Sequence, residues 1–335
     1  MISTRTPLRV TLGGGGTDLE SYYRHDGGFI FAMALDKYIH VTAHRPAFQT
    51  DIVLHGPEPE QAPCAKFLRH ELVRAALVSH GLTNRFEMAS IGDIAGGTGL
   101  GSSSCFLVGL LAALHGLNGD HPAPAALAEE ACRLEIEVLN KGIGKQDQYM
   151  AAHGGLTTLD IAPDGAVTVG RVDMDPQTEA AFIDHTHIYY TGLRRDAAVI
   201  LSAQDQAMRR ESGDARDRAS QSLGAIKDLG YRIRDAWRAG DMEAWGLMLH
   251  EHWLNKKALS SAISWPHIDQ LYEHVRVHFG VTGGKVIGAG GGGFLMLFTP
   301  GPGEALEAYM AGQKMPRLRY GIDRAGARVL GCGAA

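Results

Sequence analysis

The stretch that most constrains this chain is GGTGLGSSS at residues 96–104, in which Gly97, Thr98, Gly99, Leu100 and Gly101 lead into Ser102, Ser103 and Ser104. An apolar run with helical character, FLVGLLAAL, follows at residues 106–114. Glycines let backbone N–H groups turn inward with no Cβ in the way. The helix then presents its positive N-terminal end at the same point. Such a loop suits a polyanion, above all the phosphates of a nucleotide. The serine hydroxyls stand where they can cap the helix or touch a phosphate-bound Mg²⁺. On this stretch alone, a plain Gly-rich turn before an N-capped helix stays open. The spacing is not Walker A, because no Lys-Ser/Thr follows the glycines, and it is not GxGxxG, because serines replace the last glycine.

Composition sets the bounds. The chain has 335 residues, enough for about two domains. A hydrophobic fraction of 45% supports a sizeable core. The net charge of -5 carries no nucleic-acid footprint, so a nucleotide binder of this kind must concentrate its Lys and Arg locally. Cys64, Cys105, Cys132 and Cys332 are far apart with no CxxC pair, as expected of free thiols in a reducing compartment. The start, MISTRTPLRVTL, lacks the apolar core of a signal peptide, and no apolar run reaches about 18 residues. The expectation is a soluble, cytoplasmic protein with no nucleic-acid or membrane partner.

In chain order, residues 6–12 alternate as a strand and break at GGGG, residues 13–16, before Thr17 and Asp18. Asp18 reads as an N-cap or as an acceptor for substrate hydroxyls, with Gly15 and Gly16 leaving room. Residues 28–43 and 51–54 read as sheet, 55–63 as a Pro-rich mobile loop and 65–80 as one helix. Residues 86–94 return as a strand that delivers the chain to the central loop. The helix after Ser103 is apolar nearly all round and so buried. Residues 123–140 form a helix with Pro124 in its first turn. It carries Glu129, Glu130, Glu135 and Glu137, most of them facing solvent. KGIGKQDQYMAAHGG, residues 141–155, loops and re-enters a helix near Gln146. A boundary falls near 176–185. Helices at 194–210, 213–239, 242–259 and 265–279 follow. A glycine-broken strand at 281–298, a helix at 303–312 and a closing hairpin at 318–330 complete the chain. No histidine pair shows metal-ligand spacing.

Three motifs therefore stand in order: PLRVTLGGGGTD, GGTGLGSSS and GKVIGAGGGGF, with KQDQ between the last two. Together they resemble the GHMP kinase family over nearly the whole chain. KQDQYMAAHGG and HWLNKKALSSAIS most resemble its heptose-phosphate branch. The resemblance implies an α+β fold of two domains, 1–180 ribosomal-protein-S5-like and 181–335 ferredoxin-like. ATP and substrate would meet in the cleft between them. It implies that residues 97–104 wrap the ATP phosphates and that Ser103 and Glu135 hold Mg²⁺. Glu135 is preferred to Glu137 because it stands twelve positions before Asp147. Asp147 would be the catalytic base, with a helix cap as the plainer alternative. Lys145 and Arg9 would stabilise the phosphoryl charge or tune Asp147.

Two departures bear on substrate. Ala95 and Gly96 replace a usual proline, which predicts a looser loop entry. Gly15 and Gly16 replace the Glu and His of galactokinase-like proteins, so the substrate set is Asp18, Gly15, Gly16 and Thr17, with room for a bulkier sugar. Arg194 and Lys256 are the expected partners of a substrate phosphate, with Arg195, Lys257 and Lys285 as further candidates. Gly288 to Gly293, Gly290 and Gly291 among them, would let backbone approach the transferring phosphate and pack the two domains. The expected function is an ATP- and Mg²⁺-dependent kinase for the anomeric hydroxyl of a heptose 7-phosphate, and a homodimer is allowed. The alternatives are a kinase for a neutral sugar such as L-fucose or galactose, and a non-catalytic sensor.

Overall fold

The computed structural model describes residues 1–193, 205, 208 and 213–332. The expected helix at 194–210, with Arg194 and Arg195, lies outside the described residues. The architecture is α+β, built on two sheets.

The larger sheet has eight strands and its backbone is one hairpin of unequal arms. β1 (Ile2–Gly13) pairs antiparallel with β2 (Gly28–His44), a 17-residue strand. From Phe29 to Leu35 every residue of β2 is fully buried, which is why the sequence there is continuously apolar. β2 outlasts any one partner. Its first half pairs with β6 (Leu156–Ile161) and its second with β5 (Phe86–Gly92). Beyond β5 come β3 (Ile52–His55) and β4 (Glu60–Ala62), and β7 (Val167–Arg171) flanks β6. Residues 55–63, expected as a mobile loop, thus include the return strand of a hairpin at the sheet's far edge.

The helices of the first half are α1 (Glu20–Asp26), α2 (Glu71–Ser79), α3 (Ser102–Leu117), α4 (Pro124–Cys132), α5 (Gln146–His153) and α6 (Pro176–His185). The single helix expected at 65–80 is broken. Glu60 accepts from Arg69 N at 2.6 Å and His70 N at 3.0 Å, so α2 starts only at Glu71. The stretch expected as a domain boundary is α6. The second half adds α7 (Asp214–Ala239), α8 (Met242–Leu259), α9 (Pro266–His278) and α10 (Glu304–Gly312).

α3, α5 and α7 all pack on β1 and β2. α3 comes close enough that a Cβ on Gly109 would lie 2.8 Å from Thr6 Oγ1. α7 lays Tyr231 on Phe29 with centroids 3.8 Å apart, and Trp237 edge-on to Phe31.

The smaller sheet runs β11 (Arg317–Leu318), β8 (Thr186–Tyr190), β10 (Phe294–Phe298), β9 (Gly283–Val286), all antiparallel. α8 presses on β9, with Gly246 against Gly283. The expected closing hairpin does not form. β11 joins the smaller sheet, whereas β12 (Arg328–Cys332) crosses back to pair with β1. Asp323 makes that crossing, accepting from Ala325 N, Gly326 N and Tyr38 Oη. Among the described residues no helix is long and apolar enough to cross a membrane.

Candidate active site

Arg9, in mid-β1, is where the site is fastened together. It is 4% exposed. Its Nε and Nη2 both donate to Asp147 Oδ1, at 2.7 and 2.6 Å, and its Nη1 donates to Gly99 O at 2.6 Å. Its backbone N–H donates to Leu100 O at 3.1 Å. One arginine thus holds both the carboxylate and the glycine loop. Asp147 sits in the first turn of α5 and lines a cavity together with Gly97, Gly99, Gly101, Ser102, Ser103 and Ser104.

The loop has the geometry its glycines predict. Gly97, Gly99 and Gly101 take φ of +75°, +86° and +78°, where a side chain is strained. Gly101 begins α3 with no side chain capping it, so the first N–H groups of a 16-residue helix face the cavity unclaimed. Leu100 is buried. Thr98 does not line the cavity; it donates to Ala95 O at 3.0 Å.

Glu135 lies on a six-residue π-helical segment, Arg133–Val138, that continues α4. The wide turn is a feature often found at functional sites. Glu135 is fully buried and still lines the cavity. It accepts from Ser104 Oγ at 2.6 Å, Gln148 Nε2 at 2.7 Å and Ser103 Oγ at 3.2 Å. Burial raises its pKa against these hydrogen bonds. The neighbouring Gln148 Oε1 is buried without a partner. The donors here are oxygens, the set a hard cation such as Mg²⁺ takes.

Asp18 is not an N-cap, since α1 begins after Leu19. Its Oδ1 accepts from Gly16 N at 3.2 Å and its Oδ2 from Gln146 N at 3.1 Å. Burial raises its pKa. Gly144 must be glycine, because a Cβ there would meet Asp18 Oδ2. Gly15 and Gly16 line the cavity, but Thr17 turns into the fold, donating to Gly14 O at 2.8 Å and Phe29 O at 2.9 Å.

Lys145, Gly290 and Gly291 also fall elsewhere. Lys145 does not reach Asp147; it donates to Gly165 O at 2.7 Å and faces Glu129 at 3.6 Å. Residues i and i+2 do not share a helix face. Gly290 and Gly291 pack on Ile263, not on the cavity. The glycines that meet the 97–101 loop are Gly288, set against Gly99, and Gly293, set against Thr98.

Lys256 does line the cavity, joined by two residues with weaker signals, Lys285 and His252. His252 stands one turn before Lys256 on α8, a spacing that puts both on one face. Lys256 Nζ donates to Val286 O at 3.0 Å and to Gly288 O, and Lys285 Nζ to Leu12 O at 3.0 Å. Lys141, Gln146 and Thr11 also line the cavity, although the sequence pattern does not single them out as site residues. Gln146 stands beside Asp147 in QDQ, which is the available signal.

The family descriptions "GHMP kinases N terminal domain" and "GHMP kinases C terminal" match residues 64–155 and 233–316. A D-glycero-alpha-D-manno-heptose 7-phosphate kinase of Campylobacter jejuni is 26% identical, over 89% of this chain and 89% of its own. An L-fucokinase/L-fucose-1-P guanylyltransferase of Bacteroides fragilis is 24% identical over 90% of this chain, which spans only 35% of that longer protein. A crystal structure of a D-glycero-D-manno-heptose 1-phosphate kinase from Bacteriodes thetaiotaomicron superposes with a TM-score of 0.81, covering 100% of both chains at 20% identity. With both halves of the chain matched, this protein belongs to the GHMP kinase family and is an ATP-dependent phosphotransferase.

Proposed function

We propose that the protein is a sugar kinase that transfers the terminal phosphoryl group of ATP to the anomeric hydroxyl of D-glycero-D-manno-heptose 7-phosphate, giving the 1,7-bisphosphate. The observation that carries a kinase reading is the Arg9–Asp147 pair beside the unclaimed N-terminus of α3. The heptose 7-phosphate assignment is supported by the Campylobacter relative's name and by a cavity that contains buried basic side chains.

The residues then divide the work. Amides of Gly97, Gly99 and Gly101 and the first turn of α3 hold the ATP phosphates. Ser103 and Glu135 would hold Mg²⁺, which when bound neutralises charge on the triphosphate. Asp147 accepts the proton of the attacking hydroxyl through the oxygen that Arg9 leaves free. Arg9 fixes the angle of that carboxylate. Asp18, with Gly15 and Gly16, receives sugar hydroxyls. Such a reaction belongs to the cytoplasm, where ATP is available. A division near residue 180 is part of the proposal; the two family matches fall on either side of it, while β12 returns to the first sheet.

A second reading, a neutral-sugar kinase, draws on the Bacteroides fucokinase. One panel separates them: heptose 7-phosphate, heptose 1-phosphate, free heptose, L-fucose and galactose, each with ATP and Mg²⁺, read by product mass. The proposal expects the bisphosphate from heptose 7-phosphate. Faster turnover of fucose or galactose would replace it with the second reading.

A further inference from the structure

His252 is 1% exposed, and both its ring nitrogens are buried with no hydrogen-bond partner. It nevertheless lines the cavity. Beside it stand Lys256 and Lys285, 8% and 2% exposed. Their ammonium groups meet only backbone carbonyls, and among the described residues neither has a carboxylate partner. Three basic side chains thus share one buried wall with nothing anionic among the described residues to balance them. Buried cations are normally paired, so the wall is incomplete as it stands.

The missing group is an anion with several acceptor oxygens. A phosphate offers three, enough to take both lysines and the imidazole. Two sources fit that chemistry: the terminal phosphate of ATP, or a phosphate ester already on the sugar. The amides of the 97–104 loop and α3 already form a cradle for the nucleotide. Lys285 is tied to Leu12 O, at the end of β1 that runs into Gly15, Gly16 and Asp18. The wall therefore adjoins the hydroxyl-binding side.

We infer that His252, Lys256 and Lys285 form a subsite for the phosphate ester of the sugar substrate, and that this subsite selects phosphorylated sugars over neutral ones. It rests on the sugar-phosphate reading above. Electrostatics agree with an empty wall waiting for charge. Burial, with Arg9 nearby, lowers Lys256 to about 7. Burial and the neighbouring cations lower Lys285 and His252 well below their ordinary values. An arriving dianion favours the protonated form of each of the three.

The test compares heptose 7-phosphate with free heptose in the wild type and in Lys285→Met, Lys256→Met and His252→Gln. The expected result is a rise of about 10- to 100-fold in KM for the phosphorylated sugar in each lysine variant, the loss of one charged hydrogen bond. His252→Gln shows a smaller rise, and KM for ATP stays within about twofold in His252→Gln and Lys285→Met, neither of which bonds the nucleotide loop or Gly288. Variants that raise KM for ATP and keep the preference for the phosphorylated sugar overturn the assignment in favour of the nucleotide.

If a buried methionine prevents folding, calorimetry on the wild type decides. At pH 8 the ester is already a dianion. Titration with heptose 7-phosphate in two buffers of different ionisation enthalpy then expects net proton uptake by the protein. The other charged groups lining the cavity are Arg9, Asp18, Glu135, Lys141 and Asp147. Lys285→Arg or, where it folds, Lys256→Met distinguishes uptake at the wall from uptake at the carboxylates. No uptake overturns the inference. A wild type indifferent to the sugar's phosphate instead overturns the sugar-phosphate reading, and this subsite with it.

Discussion

On the N-terminal side of the cavity the charged side chains meet partners. Arg9 holds Asp147, Glu135 is met by Ser103, Ser104 and Gln148, and Lys141 reaches Glu71 at 2.9 Å. On the C-terminal side Lys256, Lys285 and His252 stand together without a counter-ion among the described residues. A paired wall keeps its geometry whether or not a ligand is present. An unpaired one depends on its ligand for charge balance. On the proposed function, the paired wall would perform the chemistry and the unpaired one would select. A proton acceptor needs a fixed angle, whereas a wall that must reject uncharged sugars gains from being costly to leave empty.

The paired wall breaks most sharply at Asp147. Asp147→Asn keeps the side chain's shape and removes the proton acceptor. It should lower kcat by about 100- to 10,000-fold, with ATP binding by calorimetry nearly unchanged because the loop and α3 remain. A variant that keeps turnover would move the base elsewhere. A variant that loses ATP binding would show that Arg9, deprived of its partner, had released the loop.

The seam between the walls is backbone on backbone. Gly288 has φ of +73°, and a Cβ there would lie 2.6 Å from Gly99 O. Gly81 has φ of +66° with nothing within 4 Å of the same position. Both glycines share the left-handed strain of about 1–3 kcal/mol on replacement by alanine, but only Gly288→Ala must also push the two glycine turns apart. Gly288→Ala should therefore lose more stability in urea titration than Gly81→Ala and should raise KM for ATP. Equal stability losses with unchanged KM would show that the seam yields freely.

How much of this the sequence discloses follows the same division. Glycine positions record backbone geometry directly, so three separated glycine motifs mark the loop, the seam and the first turn from residue spacing alone. α8 matches its expected bounds, with Asp241 capping its first turn and an extended Ser260 ending it. What stays hidden depends on distant partners. Lys145 is two residues from Asp147 in sequence yet turns to Gly165, while Lys285 is far from Leu12 in sequence and bonded to it. Strands β11 and β12 look like a hairpin because a turn separates them, and only the sheets that receive them show otherwise. The break before α2 is invisible locally because the group responsible, Glu60, lies on β4. His252 is readable from its spacing to Lys256, but a lone histidine on a buried face carries little weight until its empty nitrogens are seen.

The smallest effect comes from a paired cluster that does not line the cavity, and it checks what pairing alone is worth. Glu130 on α4 accepts from His80 Nε2 at 3.0 Å and from His115 Nε2 at 2.7 Å, and Asp120 holds the other nitrogen of His115 at 2.9 Å. Burial alone would raise the Glu130 pKa, but the two imidazoles outweigh it and hold it at about 2. A carboxyl whose folded pKa lies below its unfolded value contributes stability above the unfolded pKa and loses it as pH falls through the folded one. Glu130→Gln should therefore cost about 1 kcal/mol at pH 6, and the gap to wild type should close between the ordinary carboxyl value of 4.5 and about 2. Urea titrations at pH 6, 4 and 3 measure that gap. Turnover should not change, since none of the four residues lines the cavity. A gap that does not shrink between pH 6 and pH 3 would mean that shape, not charge, joins α2, α3 and α4 here. Loss of turnover would mean that the paired wall leans on this cluster through α4 and the π-helical segment that carries Glu135.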